Sequence, residues 1–271
     1  MVPTRLGDLS VQVCGAGPTA VLWHSLFVDS TTWEQVRKPL SAARRLLIID
    51  GPSHGGSPGP GRIFTIEECA DAARAVLTHF GVTEPVDWVG NAWGGHVGIL
   101  FAATSPERCR SLVTIGTPVH ALTRAERPKC RALVAAYRLT GPMRSLVNAV
   151  TDALLGPRSA DRDPASARLV GDAFRHAARR GMYLAMRSVM LNRPDLTSAL
   201  RVVSAPTLVV AGADDSMWTP DRARAAAALP SRGACRVVPG AGHVAPLLDD
   251  ASALAELITI FWRDHLPRST P

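Results

Sequence analysis

Val86-Asp87-Trp88-Val89-Gly90-Asn91-Ala92-Trp93-Gly94-Gly95-His96 is the stretch on which the reading of this chain turns. A short apolar run meets two glycines spaced around one residue, and a helix-compatible segment follows. The frame is G-x-[central residue]-x-G, with Gly90 and Gly94 in place. In a strand-turn-helix of this kind the central residue has a strained backbone. Glycines two positions to either side relieve the collisions. The geometry lifts one side chain above the end of the strand, at the N-terminus of the helix. A nucleophile belongs at that position. Here it is Ala92, whose methyl group can neither attack a carbonyl nor exchange a proton.

Working outward, two further segments supply acid-base chemistry. Pro206-Thr207-Leu208-Val209-Val210-Ala211-Gly212-Ala213-Asp214-Asp215 is a buried strand that ends in G-x-x-D. A carboxylate there would orient a histidine and stabilise its imidazolium. The spacing selects Asp215, with the adjacent Asp214 as the alternative; Asp221 is expected to cap the next helix. Val237-Val238-Pro239-Gly240-Ala241-Gly242-His243-Val244-Ala245-Pro246 is a strand followed by a glycine loop that presents His243. Either segment alone would be ordinary loop chemistry. The chain order nucleophile position, acid, base gives them a joint meaning.

Two other strand ends agree. Val21-Leu22-Trp23-His24-Ser25-Leu26-Phe27 leaves a strand in a His-containing turn, and Asp50 to Ser57 leaves the next in a Gly-rich turn. The first turn could aim the Leu26 amide at an oxyanion. With the Trp93 amide it would make a two-donor hole.

The surrounding sequence is that of an α/β protein. Leu9–Val13, Ala20–Trp23, Leu46–Ile49, Val86–Val89, Leu112–Ile115, Thr207–Ala211 and Arg236–Val238 read as strands. Most are nearly continuous in apolar residues, as parallel strands covered on both faces must be. Helices such as Ile66–Phe80, His96–Ala103 and Ala251–Trp262 alternate with them. The alternation breaks from about Pro118 to Leu200, a helical stretch divided by prolines. Residues 1–117 and 201–271 are read as one core domain, and 118–200 as a helical lid inserted over the strand ends.

Composition narrows the function classes. Of 271 residues 46% are hydrophobic, enough for a large core, and no apolar run is long enough for a membrane span. No signal peptide is legible at the N-terminus, so a cytoplasmic protein is expected. Five cysteines without C-x-x-C spacing suggest neither a disulfide framework nor a zinc site. The net charge of +7 comes from a chain with two lysines and 28 arginines, spread without a basic run. Nucleic-acid binding is not expected from that distribution.

With these pieces assembled, the chain resembles the α/β-hydrolase superfamily from about Leu9 to Trp262. Gly90 to Gly95 is similar to the G-N-S-x-G-G elbow of ester, lactone and carbon-carbon-bond hydrolases. Asp50 to Ser57 resembles D-x-P-G-H-G-x-S, and Ser105-Pro106-Glu107-Arg108 resembles the P-E-R turn that precedes a later strand. Ser25 and Ser53 replace usual glycines. The resemblance implies a mostly parallel eight-stranded sheet with helices on both faces. It also implies a serine hydrolase without metal or organic cofactor.

The expected activity is hydrolysis of a carboxylic ester or lactone, with carbon-carbon-bond hydrolysis or non-catalytic ligand binding as alternatives. In the active form a serine at position 92 would attack the carbonyl. His243 would move its proton, Asp215 would hold the imidazole tautomer, and the Leu26 and Trp93 amides would bind the oxyanion. Two readings of Ala92 follow. One is a natural binding protein on a hydrolase frame; the other is an alanine put in place of serine, as is done to hold an uncleaved ligand. Retention of Asp215 and His243 favours the second. The partner is expected to be a small apolar ester or lactone, contacted by Phe27, Met182, Met186 and Trp218. The last-named methionines share one helical face with Val189 and Met190. Tyr137 and Tyr183 are the lid's candidate acids for a carbon-carbon hydrolase. Arg124, Arg127 or Arg175 could meet a carboxylate. A homodimer is compatible with the sequence.

Overall fold

The computed structural model describes residues 1–157, 159–238, 242–249 and 251–265. Seven strands form one sheet: β1 (Val11–Cys14), β2 (Thr19–Trp23), β3 (Arg45–Ile49), β4 (Val86–Asn91), β5 (Cys109–Ile115), β6 (Thr207–Gly212) and β7 (Gly233–Val238). Their order is β1-β3-β2-β4-β5-β6-β7. β1 runs antiparallel to β3, and the remaining pairs are parallel. All seven apolar runs of the sequence became strands. The eighth strand does not appear among the described residues. Where an N-terminal hairpin would pair, only a single antiparallel bridge joins Val2 to Leu9, because the chain turns at Thr4 to Gly7 before a ladder can form.

Five helices pack on the sheet. α1 (Glu34–Ser41) and α2 (Ile66–His79) connect the first parallel strands, and α3 (Trp93–Thr104) follows β4. α2 starts with a complete capping box between Thr65 and Glu68, which fixes its first turn. Between β5 and β6 lie α4 (Glu126–Thr140), α5 (Arg144–Leu155), α6 (Ser159–Arg162), α7 (Pro164–His176) and α8 (Arg179–Ala185). A π-helical turn (Met186–Leu191) and α9 (Thr197–Arg201) complete that stretch. α10 (Pro220–Ala227) and α11 (Ala251–Asp264) finish the core. Thr219, not Asp221, caps α10: its hydroxyl accepts from the Arg222 amide, while Asp221 pairs with Arg224 in the first turn.

The central strands are wholly buried, as their apolar runs require. Trp23 and Trp88 stack at 6.4 Å, and Trp93 meets Trp23 edge-on at 5.6 Å. These rings fill the space beneath the turn after β4. One buried charge, Asp87 on β4, is fully paired: it accepts from Arg44 Nε at 2.6 Å, Arg110 Nη1 at 3.1 Å and Ser111 Oγ at 2.6 Å.

The strand order reverses direction between β2 and β4. Such a switch point opens a crevice at the carboxyl ends of the strands. The register places Trp23 opposite Gly90, so the turns after β2 and β4 lie side by side.

Candidate active site

Ala92 links β4 to α3 with φ 45° and ψ −100°, one of three non-glycine residues with positive φ among those described. For an L-residue such a conformation costs on the order of 1–3 kcal/mol. The two frame glycines are dictated by contact. A β-carbon on Gly90 would lie 2.2 Å from the Gly94 carbonyl, and one on Gly94 would lie 1.8 Å from the Trp23 carbonyl oxygen. Gly95 faces Thr117 Oγ1 in the same way, at 2.1 Å. No side chain fits at these three positions, so the sequence motif is a record of close packing around the turn.

Asp215 and His243 meet beside this turn. Asp215 is buried at the end of β6; its Oδ1 accepts from the Met217 and Trp218 amides, each at 2.9 Å. Its Oδ2 accepts from His243 Nδ1 at 2.8 Å. Burial pushes the carboxyl pKa up, but the His243 charge and hydrogen bond and the two amides outweigh it, and the net shift is downward. Asp214 is exposed and makes no such contact. With Nδ1–H committed to Asp215, His243 keeps the Nε2 lone pair for another proton. The glycine-loop residues Pro239, Gly240 and Ala241 lie outside the described residues.

Two groups that sequence reasoning missed hold His243 in place. Asn91 donates from Nδ2 to the Ile115 carbonyl at 3.0 Å and to the His243 carbonyl at 3.4 Å. Gly116, with φ 54°, lies under the His243 backbone. Asn91 stands in the elbow motif, which does not mark its contact with His243, and Gly116 has no motif signature; both matter because three strand ends converge.

The turn after β2 is braced by two buried histidines. His24 Nδ1–H donates to the Ser25 carbonyl at 2.6 Å, and its Nε2 accepts from the Gly51 amide at 2.9 Å. His54 donates to the Pro52 carbonyl at 3.0 Å and accepts from the Phe27 amide at 3.4 Å. Burial lowers the pKa of both, to about 3 for His54, where the neighbouring His24 adds to the effect. They are neutral braces between the turns after β2 and β3. The departures from glycine differ in cost: Ser53 takes φ 68°, whereas Ser25 has no positive φ.

These elements enclose a cavity of about 330 Å³. Ala92, His243, Leu26, Trp93, Phe27 and Trp218 all line it. Trp93 is the first residue of α3, where helix geometry leaves amides without intrahelical acceptors. Phe27 also meets Phe174 of α7 edge-on at 5.2 Å.

Met182 and Met186 do not line this cavity. Both are fully buried in the core cluster, while Val189 and Met190 reach the cavity. The stretch Met186–Leu191 is a π-helical turn, not the unbroken α-helix assumed from sequence. Tyr137 and Tyr183 are likewise absent from the cavity lining, as are Arg124, Arg127 and Arg175. Arg193 and Arg222, not singled out from sequence, do line it. Among the described residues no group of three His, Cys, Asp or Glu side chains could hold a metal ion.

A model of the alpha/beta hydrolase family matches residues 20–257. The chain belongs to this family. The matched residues span the sheet from β2 to β7 and the helices between β5 and β6. A pimeloyl-[acyl-carrier protein] methyl ester esterase of Aeromonas salmonicida is 31% identical over 122 residues, 45% of this chain and 46% of that protein. The match thus spans less than half of that relative's length. Among solved structures, an esterase from Thermogutta terrifontis superposes with a TM-score of 0.89 at 24% identity, covering 97% of both chains. The enol-lactonase of Burkholderia xenovorans gives 0.84 at 23% identity, covering 94% of this chain and 96% of that one. At these identities the superpositions establish the shared fold. This alpha/beta hydrolase thus has an ester hydrolase among its sequence relatives. No helix among its described residues is long and apolar enough to cross a membrane.

Proposed function

We propose that this chain is the frame of a serine hydrolase for a carboxylic ester or lactone, complete except for its nucleophile oxygen. Asp215 and His243 are its acid-base pair, the Leu26 and Trp93 amides its oxyanion donors, and residues 118–200 its lid. Ala92 occupies the nucleophile's place. The observation that carries this reading is the His243–Asp215 hydrogen bond of 2.8 Å, facing the same cavity as a strained Ala92. Strain of that kind is maintained where a side chain must be presented to a ligand. A protein that only bound ligands would have no use for a buried, oriented base.

The reaction follows from the geometry. A serine at position 92 attacks the carbonyl carbon, its proton passes to His243 Nε2, and the oxyanion rests on the two amides. The protonated histidine gives that proton to the departing alkoxide. A water then attacks the acyl-serine, with His243 as base again, releasing the acid. Asp215 holds the tautomer and stabilises the imidazolium throughout. With Ala92 the first bond cannot form, so the chain binds its ester without forming an acyl intermediate. The carbon-carbon hydrolase alternative is weakened by the placement of Tyr137 and Tyr183 away from the cavity.

The test is the Ala92→Ser variant on a panel of activated esters, lactones and diketones. Serine adds one oxygen to alanine, and kcat on an ester or lactone is expected to rise by roughly 10³–10⁶. A serine-directed phosphonate should label only the variant. A folded Ala92→Ser protein that neither turns over an ester or lactone nor takes the label would overturn the proposal in favour of a binding protein. Turnover of diketones alone would assign the carbon-carbon reaction.

A further inference from the structure

The cavity is apolar around Ala92 and His243, but one of its walls carries a half-buried cation. Arg193 follows the π-helical turn, just before Pro194, and lines the cavity. Its Nε is buried and has no hydrogen-bond partner among the described residues. A guanidinium presents five N–H donors in a rigid plane and stays protonated in proteins. Burying such a donor unpaired costs free energy, and native structures avoid it unless something else occupies the site.

Two carboxylates, Glu126 and Asp195, act on Arg193 through charge, but neither gives its Nε an acceptor. Glu126, Cys130, Arg222 and Asp195 are close enough to act on its charge, and His96 feels it in turn. Glu126 Oε2 is engaged with the Thr123 amide and hydroxyl, each at 2.9 Å, and its Oε1 lies 3.7 Å from Arg222. Asp195 faces His120 at 3.7 Å and accepts from the Thr197 amide at 2.9 Å. Burial lowers the guanidinium pKa from its ordinary value, which marks a charge poorly served by its surroundings. His96 is held neutral: burial pushes its pKa down to about 3, with the Arg193 charge adding to the effect, and it is bonded through Nε2 to the Pro118 carbonyl at 2.8 Å. Its Nδ1, like Arg193 Nε, is buried without a partner. The cavity mouth also holds the exposed Lys129.

We infer that Arg193 is a specificity-determining residue that receives a carboxylate carried by the substrate, so that the preferred substrate is a half-ester or a lactone with a free carboxylate. The inference rests on the ester or lactone reading above and adds the charge of the ligand. A planar carboxylate matches the planar guanidinium, with Nε–H and one Nη–H donating to its two oxygens. The apolar walls would take the aliphatic stem, and the carbonyl would lie over Ala92.

Because Ala92 prevents acylation, binding can be read directly on the chain as it stands. Monomethyl glutarate and dimethyl glutarate are compared by titration calorimetry at pH 7.5, in low and high salt. The half-ester is expected to bind at least tenfold tighter. That preference should survive high salt, because a buried pair is screened less than exposed cations such as Lys129. Arg193→Gln should bring the ratio close to one, and Arg193→Lys should retain part of it. Glu126→Gln, which keeps an acceptor for Thr123 but removes a negative charge beside Arg193, should tighten the half-ester several-fold. It decides the matter if Arg193→Gln fails to fold, no tightening counting against the inference. If both esters bind alike, or the preference survives Arg193→Gln, the carboxylate assignment falls while the hydrolase reading stands. If neither ester binds, both fall together.

Discussion

A β-carbon placed on Gly116 would lie 2.5 Å from the His243 carbonyl oxygen and 3.4 Å from its Nδ1. The end of β5 thus sets the height at which His243 stands over the cavity. Gly116 also has φ 54°, so a side chain there is strained twice. In the Ala92→Ser background, Gly116→Ala should lower kcat at least tenfold by pushing His243 off its line with position 92. A position error of this size acts on the chemical step more than on ester binding. Kinetics on one good ester checks it: a loss confined to KM, with kcat unchanged, would show that Gly116 does not set the base.

Asp215 and Asp214 are neighbours in sequence with opposite environments, one buried against His243 and one exposed. In the serine-restored protein Asp215→Asn should cut kcat by about 10⁴ through the wrong imidazole tautomer. Asp214→Asn should leave it within about twofold. If the exposed residue proves the sensitive one, the acid has been misassigned.

Stability should fall as the solution is acidified from neutral pH. His24, His54 and His96 are buried neutral, with pKa values lowered chiefly by burial, to about 3 for the last two. In the unfolded chain each returns to about 6.5 and binds a proton below that pH. The unfolded state therefore gains protons that the folded state refuses, and stability drops as pH falls from about 6.5 towards 3. Asp215, whose pKa is lowered on folding, loses its contribution in the same direction, below the ordinary aspartate value near 3.8. Each buried histidine contributes a slope of about 1.4 kcal/mol per pH unit across its window. Denaturant midpoints at several pH values, for this chain and for His96→Gln, measure it. The variant should show a shallower dependence between pH 6.5 and 4; parallel curves would mean that His96 is not held neutral.

The parts of this molecule that were legible in the sequence are those where one local rule decides. Continuous apolar runs marked the central strands, since a strand covered on both faces has no room for alternation; the edge strands β1 and β7 are only partly buried. Gly90 and Gly94 marked the turn at Ala92 because backbone contact there forbids any β-carbon. The illegible parts depend on several segments meeting. The resemblance implied eight strands, but the described residues form seven, with only an isolated Val2–Leu9 bridge ahead of β1. Asn91 and Gly116 act through contacts with His243, more than 120 positions away in sequence. Arg193 had no mark beyond standing before a helix-ending proline, and among 28 arginines that is no mark at all.

The methionine face from Met182 to Met190 is where a helical-period argument went astray, and it gives a paired test. An unbroken α-helix puts Met182, Met186, Val189 and Met190 on one side. In the structure Met186–Leu191 is a π-helical turn, and of these four only Val189 and Met190 reach the cavity. Met186 is fully buried in the core and Met190 is a cavity wall. Truncating a fully buried methionine removes its packing and leaves a void, so Met186→Ala should destabilise the fold by about 2–5 kcal/mol. Its effect on kcat/KM in the serine-restored protein should be the same for small and bulky esters. Met190→Ala widens the cavity instead. It should cost under about 2 kcal/mol of stability and shift the ratio of kcat/KM for bulky over small esters upward by several-fold, the scale expected when a pocket gains room for one or two methylenes. Denaturant unfolding and a two-ester kinetic comparison on both variants separate the cases. Should Met186→Ala change the ester ratio while Met190→Ala does not, Met186 and not Met190 is the wall that the substrate meets.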